Sequence, residues 1–322
     1  MIPANDITAW AYGAPWPTPD QVEQDLLLSQ LICLIAGDDY LGDELVFRGG
    51  TCLHKLYLHP ARRYSEDLDY VRATAGGISK VTGAISHIGT SLGYDVRTKM
   101  SAQPKVYLRY TAESGTTRKI KVEVNTHERS PAKSTVCLPY EVTSNWWSGQ
   151  ADVHTFSLAE LVATKIRALY QRRKGRDLYD MWLALTDPSL DLTGQQLLAA
   201  FEPYRPDGLT AKAAINTLHD HLRHADFRAD TNNLIVDDPA GYDIDVADRL
   251  ARLPTLQTGR PISPLGSASR NSPNLQPQRA EAATSPSARA ARGVRSRSVE
   301  PSANGTLRTS SSESDFNLCG CP

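Results

Sequence analysis

The chain has 322 residues, 40% of them hydrophobic, and a formal net charge of −1, enough to bury one or two ordinary cores. Five cysteines, at positions 33, 52, 137, 319 and 321, are an odd number without metal-ligand spacing, and a reducing compartment fits. The longest apolar run, Leu26 to Ala36, is broken by Ser29 and Gln30 and is too short to cross a bilayer, and no secretory signal opens the sequence, so a soluble cytoplasmic protein is expected.

Thr18-Pro19-Asp20-Gln21 is a capping box with proline at the first helical position, opening a helix to about Ile35. Leu45, Val46 and Phe47, within Glu44 to Arg48, read as a buried strand. Gly49-Gly50-Thr51 then turns the backbone into a helix over Cys52 to Leu58. A helix start behind glycines offers free N–H groups and a positive dipole end to a phosphate, with Arg48 and Lys55 as assisting cations. From Ser65 to Val71 the sequence alternates, so Ser65, Asp67 and Asp69 share one strand face while Leu68 and Tyr70 take the other. Two neighbouring carboxylates repel unless a cation lies between them, and Mg²⁺ takes one or two carboxylates together with phosphate oxygens. Alone, a Gly-Gly pair is a turn and a D-x-D pair a solvated strand face. Strand, Gly-Gly-Thr, helix, loop and D-x-D strand in that order are far more specific.

A helix follows from about Ile78 to Leu92, then strands near Tyr94 to Lys99, Lys105 to Tyr110 and Lys119 to Asn125, the last with Lys121, Glu123 and Asn125 facing away from its apolar side. Ser157-Leu158-Ala159-Glu160 is a second capping box. In the helix it opens, Lys165 interrupts a stripe formed by Leu158, Leu161, Val162, Ile166 and Leu169. Two readings fit: a lysine that snorkels to solvent, or a cation held beside a triphosphate. After the basic turn Arg172 to Arg176, a further helix turns Leu178, Met181, Trp182 and Leu185 inward and sets Asp177 and Asp180 one turn apart. The aspartates either bridge the nearby arginines or serve a site. The basic turn is either a solvated loop or a hold on an RNA backbone. Thr193 to Gln196 caps another helix, and others lie near Leu209 to Leu222 and Ile244 to Leu253. From about Gln257 the sequence is rich in Ser, Arg and Pro, with eight arginines against four acids, and is expected to be disordered, with or without a weak attraction for RNA.

The residues G-G-T-x-L-H-K-L-Y from Gly49 and R-x-S-E-D-L-D from Arg63, with LVATKIRALYQRRKGRDLYDMW over Leu161 to Trp182, resemble the AbiEii/AbiGii toxin family, MenT-like members included, in the DNA polymerase beta-like nucleotidyltransferase superfamily. The two blocks cover the chain from about Phe47 to Trp182. The resemblance implies an α/β (α+β) fold with a polymerase beta-like core, a small mixed sheet and helices behind it. It implies a type IV toxin that transfers a nucleoside monophosphate from a nucleoside triphosphate, in MenT-like members to the 3′ end of tRNA, and a cognate antitoxin. It places Lys165 and an aspartate of the second block in the active site; Asp180 is taken first and Asp177 beside it. It also implies a third acidic position on a later strand. Glu123 is the candidate metal ligand with Asp67 and Asp69, and a plain cross-strand ion pair fits it equally.

The expected organisation is a nucleotidyltransferase domain over 1–150, a helical domain over 151–256 that completes the active site, and the tail over 257–322. Two other functions use the same pocket: nucleotidylation or phosphorylation of a protein, and nucleotide binding without turnover.

Overall fold

A computed structural model describes residues 2–126, 132–235, 241–245 and 247–248. The tail 257–322 and most of the helix expected near Ile244 to Leu253 lie outside them. Helix α1 (Ala4–Trp10) packs on α2 (Pro19–Ala36), whose Thr18 Oγ1 accepts from the Gln21 N–H while the Gln21 side chain accepts from the Thr18 N–H, the expected capping box. Buried on nearly all sides, α2 must satisfy its polar groups internally: Gln24 donates to the Glu66 carbonyl, and Asp25 accepts from the Trp10 indole.

The sheet has seven strands in the order β3-β4-β5-β2-β1-β7-β6. They are β1 (Leu45–Arg48), β2 (Asp67–Arg72), β3 (Asp95–Lys99), β4 (Lys105–Thr111), β5 (Thr117–Asn125), β6 (Val136–Thr143) and β7 (Ser148–Thr155). β1 runs antiparallel to β2 and parallel to β7, and β2 runs parallel to β5, so the mixed sheet expected from the sequence is present. β6 and β7 were not foreseen. β6 carries Pro139, which a strand tolerates at a sheet edge, where β6 lies.

Short helix α3 (Leu41–Glu44) leads into β1. Helix α4 (Gly49–Cys52) follows it directly and continues as a π-helical turn over Leu53–Tyr57. The Gly-Gly-Thr run is therefore the first helical turn itself, not a turn ahead of a helix at Cys52. Helix α5 (Ser79–Ser91) covers β3 and β4. Beyond the sheet, α6 (Leu158–Gln171) packs against α7 (Gly175–Thr186) and α8 (Gly194–Phe201), with α9 (Ala211–Leu222) and α10 (Ala225–Ala229) at their far side. Thr193 caps α8 as expected. The box expected at Ser157 does not form: Glu160 turns into the interior and accepts from the Tyr204 hydroxyl and the Ala132 N–H, leaving Ser157 Oγ without a hydrogen bond. Among the described residues no helix is long and apolar enough to cross a membrane.

Candidate active site

A cleft of about 290 Å³ opens between the β2 and β5 ends and helix α6. At its floor the chain leaves β1 through Arg48 and turns at Gly49, with φ +87°. A side chain there is barred twice, because a Cβ would strain the backbone and would stand 2.5 Å from Asp69 Oδ2. At Gly50 a Cβ would stand 2.5 Å from an Arg63 guanidinium nitrogen. The two glycines thus admit the site's own carboxylate and guanidinium, and both line the cleft.

Arg48 and Ser65 also line it, but two expected phosphate contacts are placed elsewhere. Thr51 is buried; its hydroxyl bonds the Asp67 carbonyl at 2.5 Å and lies 2.9 Å from Ser65 Oγ, tying α4 to β2. Lys55 points to the opposite side, where its ammonium donates to Asp25 Oδ2 at 2.5 Å and Ser29 Oγ at 2.9 Å. Burial opposes that charge, yet Asp25 raises the Lys55 pKa above its ordinary value. The π-helical turn rotates Lys55 away from the cleft and His54 toward α7.

The sheet side of the cleft is acidic. Parallel pairing sets Asp67 beside Lys121 and Asp69 beside Glu123, and all three carboxylates reach the cleft. Burial, the larger cause, raises the pKa of both aspartates, and the neighbouring carboxylates add to it. Two half-buried carboxylates on alternate positions of one strand are a donor set that suits a hard divalent cation. Glu123, beside them, is met by two lysines. Its Oε2 lies 3.1 Å from Lys121 Nζ and 3.4 Å from Lys105 Nζ, and among the described residues no group of three His, Cys, Asp or Glu side chains could hold a metal ion.

The facing side is cationic. Lys165 is only 5% exposed yet lines the cleft, so it does not snorkel. Its Nζ lies 2.9 Å from Asp180 Oδ2 and 3.4 Å from Asp177 Oδ1. Asp180 is fully buried and outside the cleft lining; it takes a two-pronged guanidinium contact from Arg63, at 2.7 Å on each oxygen, and a 3.0 Å contact with His54 Nε2. Asp177 likewise takes a fork from Arg172, at 2.8 and 2.9 Å. Burial works against the Asp180 carboxylate, but the Arg63 and Lys165 charges prevail and hold its pKa well below the usual range. For His54, burial and then Arg63 push the pKa down to about 4. Its Nδ1 accepts the Arg62 N–H at 3.2 Å, so the neutral ring carries its proton on Nε2 and donates it to Asp180.

The profile of the AbiEii family, described as nucleotidyl transferase AbiEii toxin, type IV toxin–antitoxin system, matches residues 33–252, more than half of the chain. The chain belongs to the AbiEii nucleotidyltransferase toxin family. Among solved structures it is similar to MenT4, a nucleotidyltransferase toxin from Mycobacterium tuberculosis H37Rv, at 18% identity over 78% of this chain and 100% of that one, with a TM-score of 0.45. It is also similar to an antigenic nucleotidyltransferase-like protein from Paracoccidioides brasiliensis, at 17% identity over 59% of this chain and 92% of that one, with a TM-score of 0.35. No curated protein sequence matches the chain.

In this AbiEii nucleotidyltransferase, Arg63 and His54 went unassigned in the sequence although both fall within the quoted motifs. For Arg63 a signal was present: Arg63, Ser65, Asp67 and Asp69 recur at every second position, the period of one strand face. The basic turn is partly tied into the fold, with Arg172 on Asp177 and with Lys174 and Arg176 at 3.6 and 3.7 Å from Asp230.

Proposed function

We propose that the enzyme transfers a nucleoside monophosphate from a nucleoside triphosphate to an RNA hydroxyl, at the 3′ end of tRNA, in the cytoplasm, and so blocks translation and growth until a cognate antitoxin counters it. The observation that carries the reading is the pairing of two walls in one cleft, Asp67 and Asp69 on the sheet side and Arg63 and Lys165 on the helix side. A carboxylate pair suits a cation and a fixed cationic wall suits a polyphosphate, so the two walls together fit a metal–triphosphate.

In this reading the sheet domain, near 1–150, and the helical domain, near 151–256, close on the substrate from two sides. Asp67 and Asp69 hold Mg²⁺, which when bound supplies charge neutralisation at the reacting phosphate. Gly49 and Gly50 let the triphosphate approach the backbone, and Arg48 and Ser65 reach it from beside them. Lys165, locked by Asp177 and Asp180, places one positive charge where negative charge develops on the phosphates. Asp180 has every oxygen engaged by cations or His54 and acts as a positioning residue. The proton of the attacking hydroxyl is therefore assigned to the D-x-D pair, whose carboxylates line the cleft as that of Asp180 does not. As the hydroxyl oxygen bonds to the α-phosphorus, the α–β bridging bond breaks and pyrophosphate leaves.

Incubating the full chain and Asp69→Asn with total tRNA, Mg²⁺ and each α-labelled nucleoside triphosphate tests this. Label on tRNA, absent with the variant, is the expected result. Label on protein instead would move the acceptor to a polypeptide, and equal labelling by the variant would remove the assigned site.

A further inference from the structure

Lys121 lies on the same sheet face as the carboxylates. Its ammonium sits 2.9 Å from Asp67 Oδ2 and 3.1 Å from Glu123 Oε2, bridging the first carboxylate of the D-x-D strand and the acid of the neighbouring strand. On the other side of Glu123, Lys105 contacts it from β4 at 3.4 Å. Among the described residues no ion pair reaches Asp69. A row of carboxylates therefore runs along the face with a covalently attached cation already seated between two of them.

We propose that the Lys121 ammonium occupies the place of a second divalent ion between Asp67 and Glu123, so that the cleft takes a single divalent cation, on Asp67 and Asp69. The inference rests on the metal-assisted reading above and adds to it the number of ions and the residue that fixes it. A divalent ion bridging Asp67 and Glu123 needs oxygens at about 2.1 Å, whereas the ammonium satisfies both at hydrogen-bond distance and repels a cation brought beside it. The tethered charge is present before any substrate arrives and cannot dissociate. It also returns Glu123 to the ion-pair role that its strand left open.

Titration of the full chain with Mn²⁺ alone, counting bound ions by electron paramagnetic resonance, tests the proposal. One ion is expected for the wild type, two for Lys121→Met, and one for Lys121→Arg, which keeps the charge and checks that the site survives substitution. Two ions in the wild type, or an unchanged count in Lys121→Met, overturns the proposal while leaving the metal reading in place. No bound ion in the wild type, or an Asp69→Asn variant that binds as the wild type does, defeats the metal reading and the proposal together.

Discussion

Lys165 Nζ lies 2.9 Å from Asp180 Oδ2, with both side chains out of bulk solvent and only the lysine facing the cleft. This pair joins the stability of the helical layer to the chemistry of the cleft, and the two partners are not equivalent. Asp180 has Arg63 and His54 as further partners. Losing the aspartate leaves two buried cations facing one another, whereas losing the lysine leaves Asp180 still compensated by Arg63.

Asp180→Asn is accordingly expected to cost about 3–5 kcal/mol of stability, the usual penalty for breaking a buried pair on one side. Lys165→Met should cost distinctly less and lower transfer by about 10²–10³-fold, the range for removing a group that stabilises charge at the reacting centre. Urea unfolding and transfer rates, measured on both variants, check this. Equal destabilisation by the two would contradict the asymmetry.

Lys55 gives the sharpest separation between what the sequence suggested and where the side chain lies. With its ammonium on Asp25 and Ser29, Lys55→Met is expected to destabilise by about 3–5 kcal/mol, because Asp25 is left buried without its cation. The specific activity of the folded fraction should be unchanged. A variant of wild-type stability without activity would restore the phosphate-binding role.

Gly49→Ala places a side chain at φ +87°, with a Cβ directed at the Asp69 carboxylate. The backbone alone costs on the order of 1 kcal/mol or more, and Asp69 must also move. Transfer and Mn²⁺ binding are expected to fall together, with circular dichroism retained. Gly93→Ala, at φ +83° but with open space around its Cβ, bears the backbone cost only and should keep activity.

His54 supplies a pH signature. Its folded pKa of about 4 lies below its ordinary 6.5, so the unfolded chain binds the proton first as pH falls. Its contribution is complete above pH 6.5 and is lost toward pH 4, by about 3 kcal/mol at most. Asp180, held below its ordinary 3.8, adds a second loss that begins only as pH falls below about 4. Unfolding free energies of the wild type should decline between pH 6.5 and 4, and His54→Gln should flatten that window while keeping the lower one.

The sheet core and the acidic wall were legible because they follow a period of two: Leu68 and Tyr70 buried, Asp67 and Asp69 toward the cleft. The parallel register of β2 and β5, which sets Glu123 beside Asp69 and Lys121 beside Asp67, is a long-range pairing that no local pattern encodes. Lys55 was misread, and His54 left unassigned, because a π-helical turn shifts the face that each residue presents relative to an α-helix. The Ser157 capping box matched its pattern but lost Glu160 to Tyr204 and Ala132, partners distant in sequence that tertiary packing supplies. β6 escaped because it is an edge strand bearing Pro139, and β7 because Ser148–Thr155 carries Gly149, Gln150 and Asp152 in place of the β-branched run that marks an interior strand.

The central claim is that a metal–triphosphate lies between the D-x-D strand and Lys165. A crystal structure of the full chain with Mn²⁺ and a non-hydrolysable nucleoside triphosphate analogue tests it most directly. The account predicts an anomalous peak on Asp67 and Asp69 and phosphate oxygens within hydrogen-bond reach of Lys165. A triphosphate bound elsewhere, or a cation seated on other residues, would contradict it.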